Sequence, residues 1–283
     1  MKAEVVWKTR AQLGEGPFWD EKEQVLHWVD IDGCKLNTYS PSLNENKQLS
    51  FGQQVTAVVK RKKGGFVLAM KDGVYLFEGD RLEKVASPEK EVSHHRFNDG
   101  KCDPAGRLWA GTMVTKGQHK DAALYRIDTD LSCEKVISDV QISNGLAWDM
   151  SQQLMYYIDT KTQQVVSYQY DIDSGEIQHK EVVYTFDDRD GHPDGMTIDR
   201  DGMLWVAMYN GWQVIQLNPR TKEKVNSVEV NAKCVTSCAF GGDDYRTLFI
   251  TSASSDDEQD EFGGALFAVE TDSQGMKPDE FAG

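Results

Sequence analysis

The sequence predicts an all-β fold, a six-bladed β-propeller with four antiparallel strands in each blade, and three observations predict it. First, a short motif recurs. Asp194-Gly-Met-Thr-Ile-Asp199 precedes Leu204-Trp-Val206, and Asn144-Gly-Leu-Ala-Trp-Asp149 precedes Leu154-Met-Tyr-Tyr157. Asn98-Asp-Gly-Lys-Cys-Asp103 precedes Leu108-Trp109, and Glu15-Gly-Pro-Phe-Trp-Asp20 precedes Leu26-His-Trp-Val-Asp30. Second, two looser copies at Thr56 and Thr236 bring the units to six, opening at residues 15, 56, 98, 144, 194 and 236 with spacings of 41, 42, 46, 50 and 42. Periods of ~40–50 residues belong to propeller blades, and 283 residues over six blades is about 47 each. Third, each unit reads as short runs of Val, Ile, Tyr, Phe and Trp separated by Asp/Gly turns. No segment sustains an i, i+3, i+4, i+7 apolar pattern over three turns, which excludes an α-solenoid.

In order along the chain, residues 3–8 (Ala-Glu-Val-Val-Trp-Lys) read as a strand that completes the last blade and hides its edge. Unit one spans 15–39, and the polar stretch 41–50 reads as a connection between blades. Unit two spans 56–77 and turns at Asp72-Gly73, a strong hairpin signal. A polar approach over 87–96 leads to unit three, which continues through Gly111-Thr-Met113, a polar loop over 115–121, and the strand Ala123-Leu-Tyr-Arg-Ile127. Unit four carries Met155-Tyr-Tyr-Ile-Asp159 and Val165-Val-Ser-Tyr-Gln-Tyr170; unit five carries Leu204-Trp-Val-Ala-Met208 and Val214-Ile-Gln-Leu217. In unit six the acidic loop Asp256-Asp-Glu-Gln-Asp-Glu261 reads as a solvated surface. Repeats continue from residue 15 to the end without a linker, so residues 1–283 are expected to form a single domain.

Composition narrows the partners. Lys and Arg number 31 against 46 Asp and Glu, a net charge of −15. That balance argues against nucleic acid and against anionic membrane surfaces, and suits a protein that holds a cation. No run approaches the ~20 apolar residues of a membrane span. The opening Met1-Lys-Ala-Glu-Val-Val-Trp-Lys8 lacks an apolar h-region, so no signal peptide is expected. Five cysteines without a C-x-x-C pair (Cys34, Cys102, Cys133, Cys234, Cys238) fit a reducing cytoplasm. Cys234 and Cys238, at even spacing on one strand, are expected to share a face as buried small hydrophobes.

Equivalent units place residues of one phase at equivalent positions. The opening residues are Glu15, Thr56, Asn98, Asn144, Asp194 and Thr236. On innermost strands they would ring the central channel near one mouth. Four of the six bear a carboxylate or carboxamide, an oxygen-rich set suited to Ca²⁺, Mg²⁺ or Mn²⁺ and able to accept Zn²⁺. The competing role is to satisfy backbone groups where strands begin; variation among Glu, Asn and Asp at one phase weighs against it. Asp20, Asp103, Asp149 and Asp199, five residues downstream, have the turn role.

Other features carry less. Asp171-Ile-Asp-Ser-Gly175 and Asp199-Arg-Asp-Gly202 resemble pieces of a calcium-binding loop, but position twelve is Val182 or Asn210 rather than Glu, so both are hairpin turns. His94-His95 is poorly spaced for one metal on a strand and reads as a solvated pair. His192, two residues before Asp194, is placed either at the channel mouth or in a plain loop. No nucleophile elbow, Walker A or dinucleotide motif occurs in a usable context.

Gly14-Glu-Gly-Pro17, Arg96-Phe-Asn-Asp-Gly-Lys101, Gly111-Thr-Met113, Ser143-Asn-Gly-Leu146 and Pro193-Asp-Gly-Met196 resemble the regucalcin and gluconolactonase family of sugar-lactone lactonases. Thr236-Ser-Cys-Ala-Phe-Gly-Gly242 and Phe281-Ala-Gly283 extend the resemblance over essentially the whole chain. It implies a six-bladed propeller with one catalytic divalent cation, Ca²⁺ or Zn²⁺ ahead of Mg²⁺ or Mn²⁺, held by Glu15, Asn144 and Asp194. It also implies that Arg96 and Asn98 contact substrate. Phase alone had selected four of these five; Arg96 comes from the resemblance. One position departs: where such lactonases often place a Glu shortly after Gly-Thr-Met, this chain has Val114, Thr115, Lys116 and Gly117. A charged Lys donates to a hydroxyl but cannot accept from one, so the preferred lactone is expected to differ.

The expected chemistry is metal-assisted hydrolysis of a small sugar lactone to the aldonic acid, with carbonyl polarisation by the cation and Asp194 as general base and acid. Related propeller hydrolases of the phosphotriesterase or luciferin-regenerating type, and a non-catalytic calcium-binding propeller, remain open at this point.

Overall fold

The computed structural model describes residues 1–283. Its strands form six separate four-stranded antiparallel sheets. The innermost strands are Gly14–Asp20, Val55–Lys60, His95–Cys102, Ser143–Asp149, His192–Ile198 and Cys234–Gly241, and each packs beside the next in a closed ring. They are buried along most of their length, because a sheet neighbour covers one edge and adjacent blades cover their faces. The ring closes as expected: Glu4–Trp7 pairs with Leu266–Glu270 and becomes the outermost strand of blade six. No helix is long and apolar enough to cross a membrane.

The stretch read as a connection over 41–50 instead contains the outermost strand of blade one, Glu45–Ser50, which is largely exposed. Blades two to five likewise end in polar outer strands, among them Arg81–Ala86 and Glu223–Glu229. An outermost strand needs apolar residues on one face at most, so its pattern is faint. Apolar side chains collect between blades instead. Trp109, Trp148 and Tyr170 meet edge to face between blades three and four, and Trp205 and Phe240 between five and six.

All six innermost strands carry a β-bulge where the repeat opens: Glu15/Phe18, Val55/Ala57, Phe97/Gly100, Ser143/Leu146, Pro193/Met196 and Val235/Ser237. The extra residue breaks the two-residue alternation and re-aims the side chain beside it. It also overturns the expectation for two cysteines. Cys234 lies opposite Ala253 and Cys238 opposite Ile250, an odd offset on the partner strand, so they face opposite sides of the sheet. Both are buried. The bulge demands small neighbours: a Cβ on Gly195 would lie 2.1 Å from Ser237 Oγ, and one on Gly145 2.7 Å from Met196 Cβ.

The downstream aspartates do hold turns. Asp20, Asp149 and Asp199 each accept two backbone N–H groups from the following turn. Asp103 accepts from the Arg107 backbone N–H and guanidinium, from Trp109 Nε1 at 2.9 Å and from the Tyr170 hydroxyl at 2.9 Å. Asp199 similarly accepts a hydrogen bond from Trp205 Nε1 at 2.9 Å. Replacing Asp103 removes the counter-charge of the buried Arg107 guanidinium and the acceptor for Trp109 Nε1 and the Tyr170 hydroxyl. Asp103→Ala is expected to lose roughly 3–5 kcal/mol of stability, read by denaturant unfolding; a loss within the noise would contradict this account. The acidic loop 256–261 is only partly solvated, since Asp260 is buried and accepts from Ser255 Oγ at 2.6 Å.

Candidate active site

Glu15, Asn98, Asn144 and Asp194 meet where their bulged strands enter the channel, with Arg96 beside them. These five side chains, from blades one, three, four and five, line one cavity of about 410 Å³. All five are more than nine-tenths buried. Lys161, His192, Tyr209 and Asn210 add polar groups to its wall and mouth and Met113 an apolar one, which places His192 at the mouth rather than in a remote loop. The other two opening residues do not join the ring. Thr56 Oγ1 donates to Ala69 O, and Thr236 Oγ1 donates to Gly14 O, so both hydroxyls bind backbone and line no part of the cavity. Lys116 is exposed and also lies outside its lining.

A directed hydrogen-bond chain orients the amides. Arg96 Nη1 donates to Asn98 Oδ1 at 2.7 Å, and Asn98 Nδ2 donates to Ser143 O and Asn144 Oδ1 at 2.8 and 3.0 Å. Asn144 Nδ2 donates to Thr160 Oγ1, and Thr160 Oγ1 donates to Pro193 O, the residue before Asp194. Both N–H groups of Asn98 are thereby used, while Asn144 Oδ1 retains a lone pair. Arg96 spends only Nη1 on protein, on Phe97 O and Asn98, leaving Nε and Nη2 free to donate.

Two charged residues here escaped sequence reasoning. Asp99 is buried, and its charge bears on both Glu15 and Asp194. Lys101 projects into the lower channel, where Nζ donates to Met196 O at 2.6 Å. Their signal lay in the same register of units. Asp99 shares its phase with Gly16, Ala57, Gly145, Gly195 and Ser237, and Lys101 with Phe18, Val59, Ala147, Thr197 and Ala239. Each is the charged exception among small or uncharged residues. Lys101 and residues 276–279 are among the residues that line a second, smaller space of about 80 Å³.

Electrostatics favour a cation in the upper cavity. Burial, then the charge of Asp99, pushes the Glu15 carboxyl up to about 8. Burial, then Glu15 and Asp99, holds Asp194 well above the usual carboxylate range. Asp99 is raised too, chiefly by burial, and burial lowers Lys101. Three buried carboxylates thus face two cationic side chains, an arrangement that costs free energy until positive charge enters. Two carboxylates and a carboxamide oxygen are a hard donor set, so the residues fit a divalent cation.

The family profile described as SMP-30/Gluconolactonase/LRE-like region matches residues 13–254. The chain belongs to this family. Within it, the chain is 47% identical over 282 residues, 97% of each chain, to YvrE of Bacillus subtilis (strain 168), provisionally named a sugar lactone lactonase. It is 39% identical over 258 residues to a regucalcin of Danio rerio, covering 89% of this chain and 87% of that one. Among solved structures, a luciferin-regenerating enzyme superposes with a TM-score of 0.93 at 29% identity, covering 99% of both chains.

His94 and His95 are not the solvated pair expected. His95 has only 2% of its side chain exposed and lies between Glu89 and Asp121.

Proposed function

We propose that the protein is a divalent-cation-dependent lactonase that opens a sugar lactone to its aldonic acid. What carries this reading is the convergence of Glu15, Asn144 and Asp194, from three blades, with Arg96 and Asn98 in one cavity of about 410 Å³. That size lies within the ~300–1,000 Å³ of small-molecule sites. Glu15, Asn144 and Asp194 would hold the cation. When bound, the cation supplies positive charge that polarises the lactone carbonyl and stabilises charge developing on its oxygen.

The chain's own residues do the rest. Arg96, with Nε and Nη2 free, donates to ring or hydroxyl oxygens of the sugar; Asn98, held by Arg96 and Asn144, fixes the orientation of that pair. Asp194 takes a proton from water as the water oxygen bonds to the carbonyl carbon. It returns the proton to the ring oxygen as the C–O bond breaks, so the products are one carboxyl and one hydroxyl. The polar wall supplied by Lys161, His192 and Asn210 suits a hydroxylated ligand. One domain over residues 1–283, in a reducing cytoplasm that keeps five cysteines free, completes the proposal.

The test is proton release from a panel of aldonolactones by metal-stripped protein, with Ca²⁺, Zn²⁺, Mg²⁺ and Mn²⁺ restored singly. Turnover that requires a cation is expected for at least one lactone. Stoichiometric cation binding with no turnover of any lactone would reject the enzyme and leave a cation-binding propeller.

A further inference from the structure

Apart from the channel, one other cluster of ligating side chains is built into blade three. His94 Nε2 lies 3.0 Å from Asp121 Oδ2, and His95 Nε2 lies 2.9 Å from Asp121 Oδ1. The three potential ligand atoms fall within 4.8 Å of one another. The two imidazoles stand at 66° with centroids 4.4 Å apart, so adjacent residues converge on one carboxylate. A third ring, His119, lies 5.4 Å from His94.

An independent feature lies behind the buried histidine. Glu89 Oε2 is 3.0 Å from His95 Nδ1, and Glu89 Oε1 accepts from Thr112 Oγ1 and the Tyr125 hydroxyl at 3.1 and 3.0 Å. A carboxylate locked in place on one ring nitrogen puts the proton there and leaves the other nitrogen as a lone pair; metal-binding histidines are oriented in this way. With a single ring proton, His95 Nε2 faces Asp121 Oδ1 as a lone pair, a contact that either a second proton or a cation between them makes favourable. Imidazole nitrogens with one carboxylate suit a borderline transition ion rather than Ca²⁺.

We propose that His94, His95 and Asp121 form a second metal site, for Zn²⁺ or a similar divalent transition ion, that fastens the loop 115–121 to the inner strand of blade three. Thr115 at the start of the loop already bonds His94 O through its backbone N–H and its hydroxyl, both at 2.8 Å. Asp121 ends it, so the ion would close the loop at its far end. The site is separate from the channel carboxylates and does not depend on the lactonase reading. Its effect on catalysis would be indirect, since the strand that feeds the loop passes Met113 in the cavity wall.

The experiment is Zn²⁺ titration by calorimetry in an Asp194→Ala background, which removes a channel ligand. Co²⁺ substitution is the spectroscopic check, because imidazole-bound Co²⁺ absorbs visibly. One saturable equivalent is expected, with loop amides 116–121 slowed in hydrogen exchange when Zn²⁺ is present. Adding His94→Ala or Asp121→Asn, both partly exposed positions that leave the fold alone, should abolish that equivalent and the slowing. Glu89→Gln should weaken binding by about 10–100-fold. No Zn²⁺ equivalent in Asp194→Ala, or one that survives both His94→Ala and Asp121→Asn, overturns the site and leaves a histidine–carboxylate ion pair only. Near-parental lactone turnover by Asp194→Ala, with the His94–His95–Asp121 equivalent intact, would count against the channel reading alone.

Discussion

Asp194→Ala protein is expected to hydrolyse its lactone about 10²–10⁴-fold more slowly than the parent, the span that a positioned acid–base group contributes. It should stay folded. Asp194 is buried beside Glu15 and Asp99 with Arg96 as the opposing charge, so its carboxylate is strained in the cation-free fold rather than supporting it. Removing it relieves repulsion, and cation-free Asp194→Ala should unfold at the same temperature as the parent or higher. A purely structural aspartate such as Asp103, with four donors converging on it, behaves oppositely: its loss costs stability. Turnover and thermal unfolding measured on the same two variants separate the roles. An Asp194→Ala enzyme that still turns over near the parental rate would remove Asp194 from the mechanism.

The contrast between these aspartates also explains which parts of the fold were legible from residues alone. Repeats were visible because each blade buries a similar inner strand, so Asp20, Asp103, Asp149 and Asp199 recur at one phase for one reason, the turn that follows. The outermost strands were faint because Glu45–Ser50 and its counterparts face water and carry little apolar pattern. Four of the six opening residues converge as the phase argument required, since an identical bulge re-aims each. Thr56 and Thr236 share the bulge but not the outcome: a short hydroxyl reaches backbone carbonyls before it reaches the channel. The same bulge separated Cys234 from Cys238, because spacing predicts a shared face only where alternation is unbroken. Asp99 and Lys101 were overlooked inside a motif read for Arg96, Asn98 and Asp103. His95 was misread because Asp121, 26 residues on, and Glu89, six residues back, meet its two ring nitrogens only in the folded chain.

Stripped of divalent cations, the protein should lose stability as pH rises from about 4.5 to about 8, the reverse of what a salt-bridged carboxylate produces. The ordinary Glu value is 4.5, and burial with Asp99 lifts Glu15 to about 8 in the fold. Between those values folded Glu15 holds a proton that the unfolded chain has released, so the folded state binds more protons and stability falls with pH. The penalty is absent below the lower value and fully developed above the upper one. Asp279, raised to about 6 mainly by burial, adds a smaller loss that ends near pH 6. Groups of opposite sign act elsewhere: Asp121, lowered to about 2 by its histidine partners, withdraws its contribution only in acid. The slope between pH 6 and 8 therefore belongs chiefly to the channel carboxylates, and Glu15→Gln should flatten it. A bound cation displaces those protons, so its apparent affinity should climb by up to about tenfold per pH unit for each proton released. Thermal unfolding at pH 5 and pH 8, with and without Ca²⁺ or Zn²⁺, reads both effects: the cation-free midpoint falls and the increment from the cation grows. Equal cation-free midpoints at the two pH values, together with a pH-independent increment, would mean that Glu15 and Asp194 are not held together without a counter-charge, and the cation site built on them would fail.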